Sequence, residues 1–181
     1  MPATKYLTLD EVRRLSACVQ PKKDKLLIQM GFAMGCRVSE IVHLPLENIK
    51  PDRIVLWDKK KKRTREAVID SDTRALLGDY LNTEWKPKRG YRHELFYFSA
   101  RTANRILKRW CKVAGIPDDK AHWHVLRHTY VIQSLDAEVP INHVCEQTGD
   151  SPVTIVRVYG RPSIDKRREM LEDRGCYWRA G

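Results

Sequence analysis

His124, Arg127 and His128 recur at i, i+3 and i+4, which places them on one face of a helix. Downstream, Tyr159 lies between Arg157 and Arg161. Guanidinium groups can grip a phosphate bidentately, and a phenol can attack one. Arg37 stands upstream in GCRVSE, at the opening of a helix, where the positive end of the dipole favours carboxylates over cations. A held anion would account for it there. An ion pair with Glu40 at i+3 would account for it equally well. The two histidines also have the i, i+4 spacing of metal ligands. No HEXXH motif and no third ligand accompany them, so neither metal nor cofactor is expected.

Several elements must position these groups. Thr8 and Glu11 form a capping box that starts a helix over 9–18. A second helix over 24–34 carries Leu26, Leu27, Met30 and Met34 as its buried stripe, and Gly35 ends it. Residues 54–57 read as a strand with 65–69 as its partner. Between them, residues 58–63 make a basic hairpin turn with Lys59, Lys60, Lys61, Lys62 and Arg63. Such a turn is either a solvated loop or a finger of positive charge along a nucleic-acid backbone.

Asp70 and Ser71 cap a helix to about residue 81, and 84–92 form a basic loop with interleaved aromatics. Residues 95–99 are a short buried run, and Ser99 caps an amphipathic basic helix over 101–114 that carries Arg105 and Arg109. Tyr130 sits among apolar neighbours and reads as core. Pro140 interrupts the histidine helix. A turn at 149–152 leads to one more helix, with Tyr159 at or just past its end. Residues 164–181 read as a charged tail helix, in which Met170 and Leu171 could pack on a neighbour. The expected fold is α+β, one domain over 1–181, mostly helical with a small antiparallel sheet.

The net charge of +11 points to a polyanionic partner, nucleic acid before membrane surface. Hydrophobic residues at 42% and charged residues at 31% suit a soluble globular chain. No apolar run approaches the roughly 20 residues of a membrane span, and the first residues lack a signal peptide's apolar stretch. Five cysteines without a CxxC pair suit a reducing, cytoplasmic compartment rather than a disulfide framework.

Taken together, GCRVSEIVHL, HVLRHT and GDSPVTIVRVY, in this order and at these distances, resemble the motifs of the tyrosine recombinase (phage integrase) family. The resemblance covers about residues 6–163. It implies a recombinase that cleaves and rejoins double-stranded DNA through a 3′-phosphotyrosine, without cofactor. Arg37 and Arg127 would be the two catalytic arginines, Glu40 the acidic support of the first, His124 the motif histidine and Tyr159 the nucleophile, its proton loss helped by a base in reach such as His124 or by the cationic field itself. The general-acid lysine of the family sits in the hairpin. Counting back from the return strand favours Lys60, with Lys59 and Lys61 within the error of the count. Lys59, Lys61, Lys62, Arg63, Arg105, Arg109 and His128 would face DNA.

The resemblance further implies a tetramer on DNA, weakly associating or monomeric without it. Against the usual length of the family, the N-terminal clamp domain is expected to be absent, as in an excised domain or a minimal recombinase. One residue departs from the pattern: Asp150 stands where the family has His or Trp. An ionised carboxylate only accepts hydrogen bonds, and it would repel a phosphate unless it is protonated or paired with an arginine such as Arg127. That departure keeps open a second reading, a DNA-binding remnant or regulator of the same fold with impaired strand exchange. A type IB topoisomerase shares the chemistry.

Overall fold

The first helix, α1 (Leu9–Cys18), begins as its capping box requires. The Glu11 amide donates to Thr8 Oγ1 at 3.2 Å, and the Thr8 amide donates to Glu11 Oε2 at 2.8 Å. The computed structural model describes residues 5–59, 61–90, 93–159 and residue 168. Lys60, Arg161, Met170 and Leu171, and all of the expected tail helix but residue 168, lie outside the described residues. After α1 come α2 (Lys22–Ala33), α3 (Val38–Val42), β1 (Ile54–Asp58), β2 (Arg63–Ala67) and α4 (Ser71–Thr83). Then follow α5 (Ala100–Val113), α6 (Trp123–Asp136), α7 (Ile141–Thr148) and α8 (Pro152–Tyr159). This is the mostly helical α+β architecture expected, with one two-stranded antiparallel sheet.

The stripe Leu26, Leu27, Met30 and Met34 is fully buried and forms the centre of the main core. α6 can approach α2 closely because Gly31 has no side chain. A Cβ there would lie 2.4 Å from the Trp123 ring. The indole Nε1 of Trp123 then donates to the Cys36 carbonyl at 3.0 Å. One buried ring thus joins the start of the histidine helix to the turn that carries Arg37. Truncating a buried aromatic of this kind typically costs about 3–5 kcal/mol.

The hairpin differs from expectation by two residues. Asp58 pairs with Arg63 and Ile54 with Ala67, so the return strand is 63–67 rather than 65–69. Two contacts set these limits. The Lys61 amide donates to Asp58 Oδ1 at 3.1 Å and closes the loop early. At the other end, the Gln147 side chain accepts from the Val68 amide at 3.0 Å and donates to the Val68 carbonyl at 2.6 Å, which takes Val68 out of the ladder. In the 95–99 run, Leu95 and Phe96 are fully buried but Tyr97 and Phe98 only half so. No strand forms there; the Leu95 amide donates to the Leu44 carbonyl instead.

A smaller core lies apart from the main one. Val131, Val144, Cys145 and Ile155 join α6, α7 and α8, with Tyr130 and Tyr159 packed at its margin. Ile155 is the one fully buried residue of α8. The tyrosine helix therefore rests on a light anchor, which marks it as a segment of low local stability. Among the described residues no helix is long and apolar enough to cross a membrane.

The turn between α7 and α8 depends on Gly149, whose φ is +76°. A Cβ there would also meet Arg65 Cδ at 2.7 Å and Nε at 3.0 Å. Arg65 cannot easily retreat, since its guanidinium is tied at both ends. Left-handed strain costs a non-glycine residue about 1–3 kcal/mol. Gly149→Ala is expected to lower stability by about 2 kcal/mol or more in urea unfolding. A loss below about 0.5 kcal/mol would mean that the turn tolerates a side chain.

Candidate functional site

Arg37 is the N-cap of α3, with extended backbone (φ −72°, ψ 149°). Its amide donates to Glu40 Oε2 at 2.8 Å and its Nη1 to Glu40 Oε1 at 3.1 Å. Nη1 also donates to Asp58 Oδ2 at 3.0 Å. The i+3 ion pair and a poised arginine are therefore compatible: Glu40 and Asp58 hold Nη1, while Nη2 faces Asp150 Oδ1 at 3.7 Å. Burial alone would lower the Arg37 pKa. The carboxylates of Glu40, Asp58 and Asp150 outweigh that and hold it above the ordinary arginine value.

Arg127 lies one turn into α6 and is only 2% exposed. A buried guanidinium needs acceptors. Nη1 donates to the Gly35 carbonyl at 2.6 Å, and Nε donates to Asp150 Oδ2 at 3.2 Å. Nη2 stands 2.6 Å from Asp150 Oδ1 as a close ion pair that falls outside hydrogen-bond geometry, so this buried nitrogen has no acceptor among the described residues. The same Oδ1 is 3.7 Å from Arg37 Nη2. One carboxylate oxygen thus sits between two arginines that are 90 residues apart in the chain. The pairing with Arg127 weighed from the sequence is the one the fold forms, and it extends to Arg37.

Tyr159 closes α8, as expected, and its hydroxyl is hydrogen-bonded to His128 Nδ1. Of the two α6 histidines it is thus His128 that meets the phenol, while His124, expected as the base in reach, contacts the His128 ring instead. The α6 face is right, but the ring that points at α8 is the one a full turn further along. His124 packs edge-on against His128, centroids 4.7 Å apart at 81°. Burial first, then Arg127, lowers the His124 pKa. Burial, then His124, His122 and Arg127, pushes His128 down to about 4, against an opposing pull from Asp150. Burial and then Asp150 push Tyr159 up to about 12, although Arg127 works the other way. At neutral pH the resting pair is a neutral imidazole and an intact phenol.

The hairpin reaches the same place. Lys61 Nζ donates to the Gly149 carbonyl, next to Asp150. Lys59, Lys62 and Arg63 are exposed. Arg105 and Arg109 lie on the exposed face of α5, outside the arginine–aspartate cluster. Arg109 already has an intramolecular role: its guanidinium pairs with Asp24 and lies over the Trp110 ring at 4.9 Å.

Two residues of the site were not singled out from the sequence. Asp58 was read as a turn residue, yet it is 2% exposed and braces Arg37. Arg65 was read as the start of a strand, yet it is buried, donates to Glu40 Oε2 at 2.8 Å and donates to the Gln147 carbonyl. A signal for Arg65 existed in the strand alternation. It shares the inward face with Ala67, and a charge on that face requires a buried carboxylate.

Residues 5–165 match the profile of the Phage integrase family. The chain is 26% identical over 182 residues to the tyrosine recombinase XerA of Thermococcus kodakarensis, covering 93% of this chain and 62% of that protein. It superposes on the crystal structure of XerA recombinase with a TM-score of 0.81 at 24% identity, over 96% of this chain and 64% of that one. It is also similar to the XerH site-specific recombinase bound to its difH substrate in a pre-cleavage complex, with a TM-score of 0.74 at 18% identity, over 93% of this chain and 53% of that one.

Proposed function

The chain belongs to the phage integrase family, and on that premise we propose that it is the catalytic part of a site-specific recombinase that cleaves and rejoins double-stranded DNA. The observation that carries this reading is the shared carboxylate oxygen of Asp150 between Arg37 and Arg127. Two guanidiniums converge there on one anion, beside the helix face that holds Tyr159. A phosphodiester oxygen has the charge and size to take that place.

In the reaction, Tyr159 Oη attacks phosphorus while Arg37 and Arg127 balance the charge that grows on the non-bridging oxygens. Donors fixed in advance stabilise that state more than the ground state. Glu40, Asp58 and Arg65 keep Arg37 from collapsing onto a nearer partner. The leaving 5′ oxygen takes a proton from a hairpin lysine, Lys60 or its neighbour Lys61. The product is a 3′-phosphotyrosine, which keeps the ester energy for rejoining to another strand. Lys59, Lys62, Arg63 and Arg105 would follow the DNA backbone, each phosphate contact releasing a counterion. The whole assembly would be a tetramer on DNA in the cytoplasm.

Covalent trapping tests the reading. Wild-type protein incubated with sheared host DNA and then denatured is expected to carry DNA linked through a 3′ phosphate, and Tyr159→Phe is expected to carry none. Sequencing the linked ends should return one recurring site. Adducts of equal yield with Tyr159→Phe, or no adduct from wild type, would overturn it.

A further inference from the structure

We propose that His128, through Nδ1, takes the phenolic proton of Tyr159 as the phenol attacks, which makes it a catalytic residue of the reaction proposed above, on which this inference rests. Among the described residues it is the hydrogen-bond partner of the Tyr159 hydroxyl, with ring centroids 5.5 Å apart and planes tilted by 59°. The contact joins α6 to α8, 31 residues apart, and follows directly on Arg127 in the chain. His124 contacts the His128 ring rather than the phenol.

The proton inventory fits a base. A phenol that keeps its hydrogen must donate, so Nδ1 must present its lone pair and Nε2 must hold the ring proton. Burial and the neighbouring His124, His122 and Arg127 keep the imidazole neutral at physiological pH. Burial and Asp150 keep the phenol protonated. In the resting state the proton therefore stays on oxygen. Attack changes this, because the oxygen loses its basicity as it bonds to phosphorus. A phosphate seated on Arg37 and Arg127 also adds negative charge near the imidazole, against the cationic neighbours that depress it.

The step balances as follows. The Oη–H bond breaks and its proton passes to Nδ1. The Oη–P bond forms and the P–O5′ bond breaks. The 5′ oxygen leaves with a proton from an ammonium or from water. Rejoining runs the same events backward, and His128 returns its proton to Oη. General-base assistance of this kind typically contributes about 10²–10⁴-fold.

His128→Asn separates base from brace, because its amide oxygen can still accept from the phenol but cannot carry the proton away. The substrate is a nicked duplex of the site recovered from wild-type adducts, made with an oxygen or a sulfur at the bridging 5′ position. Sulfur departs without needing a proton. His128→Asn is expected to form adduct about a hundredfold more slowly than wild type, with unchanged DNA affinity and the same deficit on both substrates. Wild-type rates in His128→Asn would overturn the inference. So would a deficit erased by sulfur, since His128 would then serve the leaving group. If the asparagine variant does not fold, His128→Ala with added imidazole replaces it: adduct rising with imidazole supports the base, and a folded variant that ignores imidazole overturns it. No adduct from wild type on any DNA defeats the parent reading, and this one with it.

Discussion

Arg127→Ala is expected to reduce covalent adduct formation by about a thousandfold and to lower folding stability by about 3–5 kcal/mol. Both effects come from one side chain in two roles. Arg127 is 2% exposed, so its charge has no solvent to fall back on. Removing it leaves the Gly35 carbonyl without its donor at 2.6 Å and leaves Asp150 with Arg37 alone, 3.7 Å away. An uncompensated charge in such a place is what makes breaking a buried pair so costly. Losing one pre-placed donor to the developing charge costs about 10²–10³ in rate, and a charged bidentate donor belongs at the upper end.

Urea unfolding reads the first effect, and adduct formation well below the unfolding midpoint reads the second. Arg127→Lys should recover part of the stability but little of the rate. An ammonium cannot meet the Gly35 carbonyl and both Asp150 oxygens in fixed directions. Adduct formation within about tenfold of wild type in the folded alanine variant would remove Arg127 from the proposed chemistry.

The second large effect runs the other way. Asp150→Asn and Asp150→His are both expected to raise adduct formation, by about 10- to 100-fold, while lowering stability. The carboxylate occupies the space between the two arginines, so an incoming phosphate must displace or adjoin it. Two like charges about 4 Å apart interact by roughly 4 kcal/mol at an effective dielectric of 20, and part of that is relieved when Asp150 swings aside. A gain of about 1.4–2.8 kcal/mol in the barrier corresponds to the stated range. Asparagine removes the charge and keeps the shape. Histidine also supplies a donor to a phosphate oxygen, so it should gain more.

Stability should fall in both variants, because Arg127 loses its counter-ion. Activity up with stability down is a pattern that general damage to the fold cannot produce. If adduct yield instead falls in step with stability, Asp150 is a structural brace and no obstacle to phosphate. The measurement is initial adduct rate on the nicked duplex, paired with urea midpoints of the same preparations.

Much of this site could be read from the residues in order. The capping box at Thr8 and Glu11, the stripe on α2 and the caps at Asp70 and Ser99 depend on neighbours within four positions, and all formed as read. The hairpin was placed correctly, but its limits were not. Gln147 takes the backbone of Val68 out of the ladder from 79 residues away, and no strand propensity encodes that. Arg65 escaped notice for a related reason. Its burial depends on Glu40 in α3 and on the end of α7, two elements that converge only in the folded chain.

Local pattern by itself determined which residue types were present, on which helix face, and in what order: the arginine after Gly35, the histidines flanking Arg127, and the tyrosine ending the last described helix. Those features follow from backbone periods and caps, which act over a turn or two. Tertiary structure alone decided the pairings. It turned His128 rather than His124 toward the phenol and sank Arg127 beneath the surface. It also placed one oxygen of Asp150 between two arginines that enter from different helices. Such choices are fixed by how α6 packs on α2 through Trp123 and Gly31, and by how α8 rests on its small cluster around Ile155. Sequence spacing carries no information on distances across those interfaces, and both proposed proton transfer and phosphate capture depend on them.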